Sequence, residues 1–182
     1  MNNVEKVFLN IFLKLRIYTC FSWSHLLEAL RNSRLRCLVM RIYFSAPLFC
    51  EAERAFNEKV ATRLREAGFE VWLPQEISIV KSESEGEKKF IYELNVSALK
   101  NSDVVVAVLD GANVDSGVAF EVGYATALGK QVIGLKTDHR VFSKFEEVNL
   151  MLEFSMKSIC KTVEELIDFL KVISSSRTQL TH

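Results

Sequence analysis

The sequence predicts an α/β domain, a three-layer flavodoxin-like sandwich around a five-stranded, mainly parallel sheet. Three observations carry that expectation. From residue 39 onward, short β-rich runs alternate with segments of helical period. Two of the runs, DVVVAVL (103–109) and QVIGL (131–135), are apolar almost throughout, as parallel strands covered on both faces must be. Pro47, Gly68, Pro74 and Gly129 punctuate the segments where strands and helices should stop.

The elements follow in order. VMRIYFSA (39–46) is a first strand, and Pro47 ends it by removing a backbone donor. Between Glu51 and Ala67 the residues Ala52, Ala55, Phe56, Val60 and Leu64 recur at helical intervals, with Gly68 as the stop. FEVWL (69–73) is a second strand closed by Pro74. After a polar stretch from Lys81 to Lys89, Ile91, Leu94, Ala98 and Leu99 give helical spacing over 90–100. The runs 103–109 and 131–135 are the third and fourth strands, with a helix predicted over 117–128 between them. A closing amphipathic helix over 162–173 lines up Val163, Leu166, Ile167 and Leu170.

Composition narrows the function classes. The 182 residues are 49% hydrophobic and 25% charged, the mix of a globular chain rather than a disordered one. Basic and acidic residues number 23 each, so the basic surplus expected of a nucleic-acid binder is missing. Residues 1–39 differ from the rest: they hold six basic residues against two acidic ones and contain no Gly or Pro. They read as a basic, hydrophobic N-terminal extension, with Met40 as a candidate true start. A domain over 40–174 and a polar tail over 175–182 complete the expected organisation. The apolar run Val7–Trp23 is broken by Lys14 and Arg16, and no small-residue cleavage site follows. It is read as an amphipathic helix or as residues upstream of the start, not as a membrane anchor. Cys20, Cys37, Cys50 and Cys160 form no CxxC pair and have no His at zinc spacing, so no metal site is expected and a reducing cytoplasm is. No cofactor is expected either.

In such sheets ligands sit beyond the carboxyl ends of the strands, where strand order reverses. Three loops are therefore of interest: 45–50, 74–87 and 110–117. The third leads into LDGANVDSGVAFEVGYATALG (109–129). Asp110 and Asp115 at a helix start have capping and dipole complementarity as an ordinary explanation. Glu121 does not, because Ala119, Phe120, Val122 and Ala125 around it are apolar or small. On a helix its side chain leans toward Gly117, which leaves a ligand room to reach the carboxylate. The helix position is expected to favour the ionised form that a nucleophile needs. Paired carboxylates such as Glu121 and Asp115 suit glycosyl transfer through a covalent sugar intermediate.

IYF (42–44) and DSGVAFEVGYA (115–125) together resemble the nucleoside 2-deoxyribosyltransferases over about residues 40–151. The resemblance implies a flavodoxin-like fold and ping-pong transfer of 2-deoxyribose between nucleobases through a glycosyl-enzyme ester. It implies Glu121 as nucleophile, Tyr43 as its hydrogen-bond donor and Asp115 as the ligand of the sugar 5′-hydroxyl. Ser116, Gly117 and Asp110 belong to the same loop as substrate-binding candidates. Phe49 matches an aromatic that packs on the base, and Asn149 with Met151 matches a segment lent by a neighbouring subunit of a homo-oligomer. The expected partners are thus a deoxynucleoside, a free nucleobase and further copies of the chain. One position departs from the pattern: the family's second acid falls on Asn95, which exchanges hydrogen bonds but supplies no acidic proton. Gln75 is a candidate reader of a base edge, with an exposed loop glutamine as the plainer alternative. His139 reads as a surface residue and Tyr124 as packing.

Three other functions compete with this one. A hydrolase of the same fold would cut a 2′-deoxynucleoside 5′-monophosphate, although Asp115 would place a like charge beside its phosphate. A non-catalytic nucleotide-sensing domain is expected to lose Glu121 or Tyr43, and both are present. Electron transfer would need a hydroxyl-rich phosphate loop where SAPLFC (45–50) stands.

Overall fold

A computed structural model describes residues 39–77 and 84–179. The N-terminal extension, apart from Val39, lies outside the described residues. Five strands, β1 (Arg41–Ser45), β2 (Glu70–Trp72), β3 (Val104–Val108), β4 (Gln131–Leu135) and β5 (Ser158–Cys160), form one sheet in the order β2-β1-β3-β4-β5. All four pairings are parallel. The helices are α1 (Glu51–Glu66), α2 (Glu85–Asn101), α3 (Ser116–Ala127), the short α4 (Leu150–Glu153) and α5 (Val163–Gln179). This is the flavodoxin-like α/β order, and its switch point falls between β1 and β3.

Side-chain alternation decides which helix each strand residue meets. Ile42 and Phe44 of β1, with Val104, Val106 and Val108 of β3, pack against Val60 and Leu64 of α1 and Leu166 and Leu170 of α5. Tyr43, Val105 and Ala107 face the other way, toward Leu99 of α2 and Val118, Val122 and Ala125 of α3. A slip of one residue would exchange the two sets. Each valine so buried contributes about 1.5–3 kcal/mol, enough to hold the register that puts Tyr43 on the α3 side.

The structure adds the short α4, which the sequence reading did not predict, and differs from that reading at three further places. β5 has no counterpart in the sequence pattern, because three residues at a sheet edge show too little periodicity; its ladder with Ile133, Gly134 and Leu135 defines it. Helix α2 begins at Glu85, inside the stretch read as polar loop, because Ser84 caps it by accepting from the Glu87 N–H and donating to the Glu87 carboxylate at 2.5 Å. Helix α5 runs on to Gln179, past the domain boundary drawn at 174. Ser175 and Ser176 donate back to the Lys171 and Val172 carbonyls, and Arg177 reaches Asp103 at 3.1 Å. No helix among the described residues is long and apolar enough to cross a membrane.

Candidate active site

The site is built from the carboxyl end of β1 and the first turns of α3. Tyr43 and Ser45, two apart on one strand, present their hydroxyls to the same face. Opposite them stands Glu121, the sixth residue of α3. The Tyr43 Oη donates to Glu121 Oε1 at 2.6 Å, and the Ser45 Oγ donates to Oε2 at 2.5 Å. Both carboxylate oxygens are therefore held by neutral hydroxyls. Sequence reasoning found Tyr43 and Glu121 but missed Ser45, which is fully buried. The signal was present, since Ser45 follows Tyr43 by the strand period and interrupts an apolar face.

The ionisation of Glu121 corrects one expectation. Burial is the largest influence and raises its pKa; the bonds from Ser45 and Tyr43 pull it back, and the charge of Asp115 raises it again. The net direction is upward. A helix dipole falls off within the first turn, so at the sixth residue desolvation outweighs it. Tyr43 is held far above the ordinary phenol range, first by burial and then by Glu121, so its proton stays on and keeps donating.

Asp115 caps α3. Its Oδ1 accepts from the Gly117 N–H at 2.8 Å and the Val118 N–H at 3.2 Å. A Cβ at Gly117 would lie 3.0 Å from that oxygen, so any other residue there would crowd the cap. Ser116 and Gly117 are exposed beside it. The cap uses only one carboxylate oxygen and leaves Oδ2 available, so Asp115 can serve the helix and a ligand at once.

The loop 46–50 is pinned along its backbone. Asn57 donates to the Pro47 carbonyl, Arg54 to the Leu48 carbonyl, and the Phe49 and Cys50 N–H groups both donate to Glu53. Phe49 itself is 75% exposed on this fixed loop. Asn95, on α2, accepts from the Trp72 indole at 3.3 Å, and this places it beside β2.

Two expected ligand residues are engaged elsewhere. Asp110 accepts from the Thr137 N–H, the Asp138 N–H and the Thr137 hydroxyl, which ties the turn after β3 to the turn after β4. Both of its oxygens are bonded there. Gln75 accepts from Asn57 at 3.1 Å and donates to the Arg54 carbonyl at 3.0 Å, so its amide joins the turn Pro74–Glu76 to α1 rather than reading a base. Asn149 caps α4 through the Met151 N–H, and Met151 is 72% exposed. Neither bonds to Glu121 within the chain. Tyr124 packs on the core and stacks on Phe120, and His139 is exposed.

A parallel α/β sheet thus carries a hydroxyl-held carboxylate at its switch point, the place where sheets of this class bind ligands. The nucleoside 2-deoxyribosyltransferase family model matches residues 42–164, and the chain belongs to that family. Among solved structures it is similar to a conserved protein from Enterococcus faecalis V583, at 28% identity and TM-score 0.65, over 73% of this chain and 98% of that one. A 2-deoxyribosyltransferase from Bacillus psychrosaccharolyticus shares the fold at 23% identity and TM-score 0.62, over 70% and 90% of the two chains. A 2-desoxiribosyltransferase from Leishmania mexicana does so at 22% identity and TM-score 0.58, over 72% and 97%. Comparison with curated protein sequences gives no match.

Proposed function

We propose that the protein transfers 2-deoxyribose between nucleobases, with Glu121 as the nucleophile. The observation that carries this reading is the pair of hydroxyl donors on the Glu121 carboxylate. In the first half-reaction a lone pair of a Glu121 oxygen forms a bond to C1′. The C1′–N bond breaks and its electron pair leaves with the base, which takes up a proton from water. In the second, a nitrogen lone pair of the acceptor base forms the new C1′–N bond, the base gives up its ring N–H proton to water, and the C1′–O pair returns to Glu121. Tyr43 stabilises the carboxylate without neutralising it, and Asp115 accepts the 5′-hydroxyl through its open oxygen. Asn95 donates a hydrogen bond to the leaving base, which limits turnover to bases that leave without an acidic proton.

The exposed Phe145, Leu150, Met151 and Phe154 around α4 support a homo-oligomer in which Asn149 and Met151 complete a neighbour's site. Mixing Glu121→Ala with Asn149→Ala subunits is expected to restore activity through hybrid sites; no rescue despite subunit exchange would remove the shared site. The family match begins at residue 42, which supports an extension that is dispensable for turnover. A protein starting at Met40 is expected to fold and to remain active.

Incubation with a 2′-deoxynucleoside, with and without a second free base, tests the reaction. Chromatography should show a new nucleoside only when the second base is present. Base release independent of an acceptor would assign hydrolysis instead, and no change in either mixture would overturn the reading.

A further inference from the structure

Among the described residues one charged side chain is fully buried and lies outside the Glu121 site: Lys136, directly after β4. Its Nζ donates to Asp138 Oδ1 at 2.7 Å and lies 3.3 Å from the Gly111 carbonyl and 3.4 Å from that of Leu109. Burying an ammonium here carries a desolvation cost that an apolar residue would not, and the bonds to these acceptors are what offset it. All three acceptors lie on, or bond to, the turn between β3 and α3.

That turn is held from both sides. Asp138 Oδ2 accepts from the Gly111 N–H at 2.8 Å, so the amide and the carbonyl of one residue are both fixed from the β4 side. Gly111 has φ +114°, a conformation that other residues rarely adopt. Asp110 reaches back to the Thr137 and Asp138 amides and the Thr137 hydroxyl. Burial works against the Asp138 charge, yet the bonds from Lys136, Gly111 and Arg140 outweigh it and hold the carboxyl far below the usual range. The Asp138 carboxylate therefore stays charged through the physiological range. Downstream, Val114 packs on the core and Asp115 caps α3, which leaves Ala112 and Asn113 as the exposed span between latch and cap.

We propose that Lys136 is a positioning residue: with Asp138, Thr137 and Asp110 it latches the β3–α3 turn and so sets where Asp115 meets the 5′ end of the nucleoside. The proposal rests on the reading of Asp115 as the 5′-hydroxyl ligand. Lys136 touches no substrate. Its effect passes through four residues of backbone, and displacement of a positioned group by a fraction of an ångström is enough to weaken its bond.

The experiment compares KM and kcat for a 2′-deoxynucleoside and its 5′-deoxy analogue in the wild type, Lys136→Met, Thr137→Val and Asp115→Ala. Thermal unfolding establishes that each variant is folded. Lys136→Met is expected to raise KM for the nucleoside about tenfold, the loss of one charge-assisted hydrogen bond, while kcat falls by a smaller factor. KM for the 5′-deoxy analogue should hardly move, so the preference for the 5′-hydroxyl collapses. Thr137→Val removes a single bond of the latch and should show the same pattern at about threefold; it decides the matter if Lys136→Met fails to fold. Wild-type KM and wild-type preference in the folded latch variants would overturn the proposal. If Asp115→Ala itself keeps the preference, the reading of Asp115 fails. A KM rise in the latch variants that is equal for both substrates would then also overturn the proposal as stated, by showing a role unrelated to the 5′ end.

Discussion

At the amino end of β1, Arg41 gives Asp103 three hydrogen bonds, one from its backbone and two from its guanidinium, and Arg177 adds a fourth. At the carboxyl end of the same strand, Tyr43 and Ser45 give Glu121 one each. Burial tends to raise both carboxyls. Around Asp103 the arginines win and the net shift is downward, whereas around Glu121 the hydroxyls do not offset burial and the neighbouring Asp115, and the net shift is upward. A carboxylate meant to stay a carboxylate is given cations. The carboxylate proposed to attack carbon is given donors that hold its lone pairs in place without drawing off its charge.

Removing the reactive end outright gives the largest expected effect. Glu121→Ala should lower turnover by about 10³-fold or more, and Glu121→Gln should do the same. Because the folded-state pKa of Glu121 is raised, its ionisation at neutral pH opposes folding, so Glu121→Gln is expected to unfold at no lower temperature than the wild type. Mass spectrometry of the wild type in single turnover should find a deoxyribosyl adduct on the peptide holding Glu121. Wild-type activity in the Ala variant would end the comparison.

Next in size is Tyr43→Phe, which removes a buried donor from a developing ester and should lower kcat by about 10²-fold. A loss confined to KM would show instead that Tyr43 only shapes the pocket. Asp115 sharpens the comparison from the substrate side. A 5′-monophosphate would bring about two negative charges beside this carboxylate. Two unit charges about 4 Å apart repel by roughly 4 kcal/mol at an effective dielectric near 20, and a third of that is about tenfold. The wild type is expected to prefer the unphosphorylated nucleoside in kcat/KM, and Asp115→Ser to narrow or reverse the preference. A wild type that prefers the monophosphate would move the protein to the hydrolytic reading.

Smaller effects come from the hydroxyl at Ser45 and from the opposite end of the strand. The acid limb of kcat/KM should lie above the ordinary glutamate range, with activity lost as pH falls through it and Glu121 takes up a proton. Ser45→Ala removes a bond that favours the charged form, so the limb should move further up and Ser45→Thr should restore it. The titratable groups facing Glu121 are Tyr43 from β1 and Asp115 from the turn before α3. A limb that does not move would leave Ser45 a packing residue. Asp103→Asn should cost stability alone, about 1 kcal/mol, since both arginines are half exposed and water screens them. Its carboxyl is depressed in the fold, so this contribution is present at neutral pH and fades as pH falls below the ordinary carboxylate range. Chemical denaturation at two pH values checks the sign. A change in kcat would show that the two ends communicate.

Much of this was legible in the residues. Strand alternation places Tyr43 opposite the face of Ile42 and Phe44, and a run of five buried positions in β3 admits few fates other than a central parallel strand. Asp115 before a helical segment reads as a cap, and it is one. Ser45 was legible by the same alternation yet passed unnoticed, because a serine at a strand end looks like the start of a loop. The partners of Gln75 and Asp110 were not legible: each is a polar residue in a loop near the site, and sequence says nothing about which way such an amide or carboxylate turns.

The sequence by itself determined the period of the longer elements, the faces of β1 and β3, and a helix start close behind Asp115, because these depend on residues a few positions apart. Only the tertiary structure decided that Asp110 bonds to a turn 27 residues away, that Ser45 meets Glu121 across 76, and that a three-residue edge segment becomes β5. It also decided the direction of the Glu121 pKa. Helix position argued for an easily ionised acid, and the packing of α3 against the sheet reversed the sign. Desolvation depends on everything that surrounds a group in space, and no local pattern of residues records it.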